Sequence, residues 1–376
     1  MVSRIIKHIA YNRYFPLNFE VEKMQPNILL MCKLLFLLLL VNGFLGYISD
    51  PFIPFIKPID VVITYPNIFK TAIKGLFLAS GLLLLFNVNP RTMAIVLGSS
   101  LIVMLLASKP MFRNHLFICG CAFLLAGLSN KKNLPWLLYM QLSLVYFGAA
   151  TNKVFEPDWW SGQFMHNWLV NSQENQFYLS VSGLLPEMWF AKILSWTSMF
   201  IEFTIAILLL IRKKHLLAVW AIILFHSLLY SMTLFRFGHF FEDIVIILLI
   251  FLIWPAHKSE VCINKSAQPF FRPIVRLFFL NSKIEFGQDQ STSSNYWLKL
   301  KSGDRILFNK EALAFLLKFT PNFYVLLFFL DQLIRFLFNG TLMHSIQISL
   351  MWLCIIFFMP IEFHRKKSKK LVIDAQ

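Results

Sequence analysis

Lys153 stands where a lysine can do chemistry. It closes an apolar run that also carries Gln141, Tyr146, Thr151 and Asn152. It then opens an acidic, tryptophan-containing stretch, Glu156-Pro157-Asp158-Trp159-Trp160-Ser161-Gly162. An ammonium group at such a boundary can lose part of its hydration, which makes a neutral amine base possible. The same position suits a lysine that only anchors a helix end, with its stem in lipid and its head beside interfacial tryptophans. Position alone leaves both readings open. Glu202, within Phe200-Ile201-Glu202-Phe203, falls in the middle of a long apolar run. It must be paired, protonated or turned toward a polar cavity. His226 lies mid-run in Phe225-His226-Ser227, and His115 opens another run after Arg113-Asn114. Either histidine by itself fits a core residue bonded to a backbone carbonyl. Taken together, Lys153, His115, Glu202 and His226 predict a buried polar cluster between helices.

The elements that must hold these residues are membrane helices. The chain has 376 residues, 57% of them hydrophobic and 14% charged. A soluble domain is roughly 45–50% apolar and about 25% charged, and its surface needs the charges that are missing here. The apolar residues also come in long blocks, the pattern that bilayer imposes. Taking about 20 apolar residues per span, helices are predicted near 27–47, 70–88, 92–108, 114–129, 134–152, 188–211, 215–235 and 240–255. Two further runs, 321–338 and 342–360, follow a polar stretch. The last is long enough to span, whereas Asp331, Gln332 and Arg335 interrupt 321–338 and suit it to the interface. The first run begins near Pro26 without a small-residue cleavage site, so it reads as a retained helix.

The 35 Lys and Arg against 19 Asp and Glu give a net charge of +16. In a soluble protein that balance would suggest nucleic acid. Here the positive charges gather in short loops and at the ends, and membrane topology explains them better. With the N-terminus inside, the other inside loops carry Arg91, Lys131–Lys132, Arg212–Lys213–Lys214 and the basic 256–320 region. The predicted outside segment 154–187 carries Glu156, Asp158, Glu174 and Glu187 and no lysine or arginine between residues 154 and 187. Lys109 and Arg113 fall outside and count against the scheme. The expected organisation is a cytoplasmic segment over 1–26, a membrane domain over 27–255, a small α/β region over 256–340, an apolar helix over 341–362 and a basic tail over 363–376. The fold class is thus an all-α multi-pass protein of about eight helices, with a small cytoplasmic α/β region and one further helix. It is placed in the cell's plasma membrane with both ends in the cytoplasm.

In the C-terminal region, Tyr296–Leu300 and Arg305–Phe308 flank Ser302-Gly303-Asp304 and read as a hairpin, followed by helical periodicity over Asn309–Phe319. The five cysteines form no C-x-x-C pair and read as buried structural thiols. There is no P-loop, no G-x-G-x-x-G, no H-E-x-x-H and no spaced Cys/His zinc set, so no metal site is predicted. His239 with Glu242-Asp243 suits a cap or interface role better than a cation site.

The run from Gln141 through Tyr146, Gly148 and Lys153 to Trp159, Trp160 and Gly162 resembles the signature of the horizontally transferred transmembrane (HTTM) domain family. That family includes the vitamin K-dependent γ-glutamyl carboxylase. Asn114-His115 and Phe225-His226 look similar to two further stretches, so the resemblance covers roughly residues 20–255. It implies a mechanism in which a lysine amine deprotonates vitamin K hydroquinone and oxygen adds. A strong alkoxide base then removes a proton γ to a glutamate carboxylate, and CO2 captures the carbanion. On this resemblance Lys153 and His115 are the candidate catalytic residues. Gln141, Tyr146, Trp159, Trp160, Glu202 and His226 are the candidate binding residues, and a reduced, vitamin K-like membrane quinone is the expected cofactor. The chain lacks the large extracytoplasmic domain of the carboxylase. In size it is closer to the sporulation-delaying-protein maturation branch, which implies an accessory role toward a small secreted peptide on the extracytoplasmic side.

A second resemblance concerns 262–338. Gln268-Pro269-Phe270-Phe271 looks like the start of a DCC thiol-disulfide oxidoreductase, a thioredoxin-like module. Gln268 and Phe271 stand where that family has its cysteines, so the resemblance implies a redox-dead docking module on which 321–338 packs.

Overall fold

The computed structural model describes residues 12–19, 23–130, 135–172, 174–232, 240–252, 259–263, 284–287, 296–302, 305–318 and 321–338. Proline sets the start of several helices, because its missing N–H costs nothing in a first turn. It stands at the head of α1 (Pro26–Val41), α2 (Pro66–Leu85) and α3 (Pro90–Ala107). These are followed by α4 (Asn114–Leu128), α5 (Trp136–Phe155), α6 (Trp189–Leu210), α7 (His215–Met232) and α8 (Phe240–Ile247). After α8 the chain tightens into a 3-10 turn over Leu248–Phe251.

α1 is the central element. From Ile28 to Phe36 every residue is buried, and the helix packs against α2, α4 and α8. Beside it α3 and α4 form a close hairpin. A methyl on Gly98 would meet the backbone of Gly120 and Leu124 at 2.5 Å, and one on Gly127 would meet the Arg91 carbonyl at 2.5 Å. Arg91 seals that hairpin by donating from Nε to the Gly127 carbonyl at 2.9 Å, at the carbonyl end of α4. Lys33, buried in α1, donates to the Pro16 carbonyl and lies 4.7 Å from the centre of the Phe19 ring, so residues 12–19 fold back onto the bundle.

Among the described residues, four helical stretches are long and apolar enough to cross a membrane: α2, α3, α6 and the segment Arg212–Met232 containing α7. The expected eight are therefore not all met by that criterion. α1 and α4 are apolar but shorter, α5 has the length but is diluted by Gln141, Asn152 and Lys153, and α8 is only 8 residues long. The expected run 134–152 extends to Phe155, which places Lys153 inside the last turn of α5 rather than in the loop.

In the C-terminal region β1 (Ser259–Ile263), β2 (Ile284–Gly287), β3 (Leu298–Ser302) and β4 (Arg305–Phe308) form one sheet in the order β2-β1-β3-β4. The β1–β2 pair is parallel and the other two pairs are antiparallel, with Lys301 opposite Ile306 in the expected hairpin. α9 (Asn309–Lys318) follows at once, and Ala312 and Leu316 close a small core with Val261, Leu298 and Leu300. α10 (Pro321–Phe338) does not join that core. It packs against α1 and buries Tyr324, Val325 and Phe328 in the main bundle, which corrects the expectation that it rests on the sheet. The reason is its apolar face, which finds more apolar surface on α1 than the small sheet offers. Gln268, Phe271, Arg236, His239, Lys131–Lys132, the run 342–360 and the basic tail lie outside the described residues.

Candidate functional site

Helical spacing decides which side chains of α5 meet. Ser143, Tyr146, Ala150 and Lys153 repeat at three and four residues and share one face, while Gln141 falls on another. The facing stripe on α6 is Ser195, Met199, Glu202, Ala206 and Leu209, all buried. The two helices are locked in register by the Ser143 hydroxyl, which donates to the Ala206 carbonyl at 2.8 Å. With that register fixed, Lys153 Nζ donates to both carboxylate oxygens of Glu202. The side chains are 16% and 8% exposed, so the ion pair is largely withdrawn from water. Of the outcomes open to Glu202, pairing is the one realised.

The aromatic loop covers the other side of the amine. Lys153 Nζ lies 4.9 Å from the centre of the Trp159 ring, a cation–π contact. Gly162 makes this approach possible. Its φ of +80° is open to glycine, and a methyl there would stand 2.7 Å from the Lys192 nitrogen of α6. The loop beyond it has its own small core of Met165, Leu169 and Tyr178 against Ala191. His166 Nδ1 meets the Tyr178 hydroxyl at 2.8 Å, and burial pushes the Tyr178 phenol up from its ordinary value. Trp160 turns away from the amine. It is half exposed, its indole N–H donates to the Val154 carbonyl at 2.7 Å, and its own carbonyl accepts from Trp196 at 3.2 Å.

Two turns below Lys153 on the same face, the Tyr146 hydroxyl meets Nε2 of His226 on α7 at 2.8 Å. Both are buried, and Nδ1 of His226 has no hydrogen-bond partner among the described residues. Tyr146 shares its face of α5 with Lys153, so the Tyr146–His226 bond lies on the side of the helix that carries the ion pair. The Ser195 hydroxyl, on the α6 stripe two turns from Glu202, is also buried and has no partner among the described residues.

His115 and Gln141 belong elsewhere. Nδ1 of His115 lies 2.8 Å from Oδ2 of Asp243, which is buried at the start of α8. An ionised carboxylate only accepts, so Nδ1 donates. This second pair ties α4 to α8: His115, expected in the polar cluster with Lys153, Glu202 and His226, has Asp243 as its hydrogen-bond partner. Gln141 reaches α4 instead, donating to the Ile118 carbonyl at 2.7 Å, with its own oxygen unpartnered among the described residues. Asp243 is the site residue that sequence reading undervalued. Its signal was a carboxylate opening an apolar helix, which needs a donor as much as Glu202 does.

No curated protein and no solved structure matches the chain. Residues 133–254, the stretch that holds α5 to α8 and with them Lys153, Glu202, Tyr146 and His226, match the family model of the HTTM domain.

Proposed function

We propose that this is a membrane protein of the HTTM family in which Lys153 serves as an amine base toward a reduced, vitamin K-like membrane quinone. The observation that carries the reading is the amine itself, held between the Glu202 carboxylate and the Trp159 ring and largely out of water. A base of this kind works only where water is excluded. The residues fit such a group. Trp159 offers a flat aromatic face, and among the described residues His226 Nδ1 and Ser195 Oγ are buried polar atoms without a hydrogen-bond partner, suited to a ligand hydroxyl. When bound, a reduced quinone supplies reducing equivalents and a hydroxyl proton. Lys153 would receive that proton, Glu202 would hold the amine in place, and Tyr146 and His226 would orient the ligand from below. His115, held by Asp243, stands as a separate proton-handling group. Lys153→Met should abolish quinol-dependent carboxylation or oxygen uptake while the protein still inserts in the membrane. Unchanged turnover in that variant would defeat the reading.

A second reading is favoured by the loop. Phe177 is 64% and Leu184 is 84% exposed, apolar surface on a segment that carries acidic residues but no lysine or arginine. We infer an accessory role in maturing or exporting a small secreted peptide, with this loop as the contact. A photo-crosslinker at Phe177 should then capture the peptide on the extracytoplasmic side, and its failure to do so sets this reading aside. The termini are read as cytoplasmic and the membrane as the plasma membrane, supported by the charge asymmetry of the loops. The strand order β2-β1-β3-β4, with one parallel pair and a terminal hairpin followed by a helix, supports the thioredoxin-like reading of 256–340.

A further inference from the structure

The geometry points to Glu202 as the group that turns Lys153 from ammonium into amine, by taking the proton shared across their contact when water is shut out. This rests on the reading of Lys153 as a base and gives that base an internal trigger. In water the ordinary proton affinities of lysine and glutamate differ by about six orders of magnitude, so the pair is ionic wherever water solvates it. Here most of that solvation is already gone, with 16% and 8% of the two side chains exposed. The Trp159 ring from the loop faces the amine, and Tyr146, on the same face of α5 as Lys153, is bonded to His226 of α7. Among the described residues no second ion pair reaches these two charges.

A flat ligand seated beside Trp159 would cover the remaining exposure. Removing the last water penalises two charges, whereas an amine–carboxylic acid pair keeps its hydrogen bond and carries no charge. The step is one proton moving from Nζ to a carboxylate oxygen; no electron is transferred and the pair stays neutral overall. The base therefore forms only while the site is covered. An uncovered site holds ammonium and carboxylate, which do no chemistry on water or on lipid.

Infrared spectroscopy of the protein in lipid films tests this directly, with glutamate carrying carboxyl-13C to identify the band. As films of the wild type are dried, a carboxylic-acid C=O band should rise, shift with the isotope and be missing from Glu202→Gln. In Lys153→Met, where no amine shares the proton, the band should be present at every hydration. A wild-type film in which no glutamate acid band rises, or in which Glu202→Gln gives the same rise, overturns the proposal. Adding a short-chain naphthohydroquinone to hydrated films should raise the same band. A response to drying without a response to the quinol would keep the switch and reject the quinol as its trigger.

Discussion

A carboxylate in the middle of α6 and a lysine at the end of α5 would each be costly alone in a membrane. Their pairing makes both tolerable, and it makes each depend on the other. Glu202→Gln leaves a largely buried ammonium without its counter-charge and should cost about 3 kcal/mol, read as a lowered melting temperature in detergent. The double variant Lys153→Met with Glu202→Leu should recover more than half of that loss. Tyr146→Phe strands the buried Nε2 of His226 and should cost about 1–3 kcal/mol. At this scale the sequence was partly legible. Lys153 stood out by its position and Glu202 by its need for a partner. That the partner was Lys153, 49 positions away, could not be read, because it depends on the register that Ser143 and Ala206 set between α5 and α6. The same holds for His115 and Asp243, which only the packing of α4 on α8 brings together.

The loop between α5 and α6 behaves as an element in its own right, folded over the amine and pinned at Gly162. Gly162→Ala forces a left-handed backbone onto alanine and drives its methyl into α6. It should destabilise by about 1–3 kcal/mol and raise the rate at which a protease cuts within 154–187. Tyr178 gives the loop a pH dependence. Its phenol is raised by burial, so the stability it confers is full below the ordinary phenol value of about 10 and lost as pH climbs through the raised value. Proteolysis of the loop should accelerate there, and Tyr178→Phe should remove that alkaline step. Pro26, Pro66 and Pro90 mark three helix starts locally, and the expected starts near 27, 70 and 92 fall one, four and two residues after them. The placement of α10 was not legible, since an apolar face does not announce which neighbour it will choose. By length and composition, four of the expected eight spans are met among the described residues. Apolar runs such as Asn114–Leu128 are 15 residues long, short for a bilayer crossing even though they pack well inside a bundle.

For the whole molecule, Lys153, Glu202, Tyr146 and His226 lie in the segment that matches the HTTM domain, while the small sheet holds a separate core. In the proposed topology the 154–187 loop and the cytoplasmic termini lie on opposite sides of the membrane. A cysteine introduced at Ser180, which is exposed, should react with an impermeant maleimide on intact cells, and one introduced at the C-terminal Gln376 should not. The central claim is that the amine of Lys153 faces a lipid-soluble quinol, and lipid extraction with mass spectrometry of the purified protein tests it most directly. A quinone should co-purify with the wild type in near-stoichiometric amount and fall at least severalfold in Lys153→Met. A wild-type preparation carrying no quinone above the level of an unrelated membrane protein would contradict it.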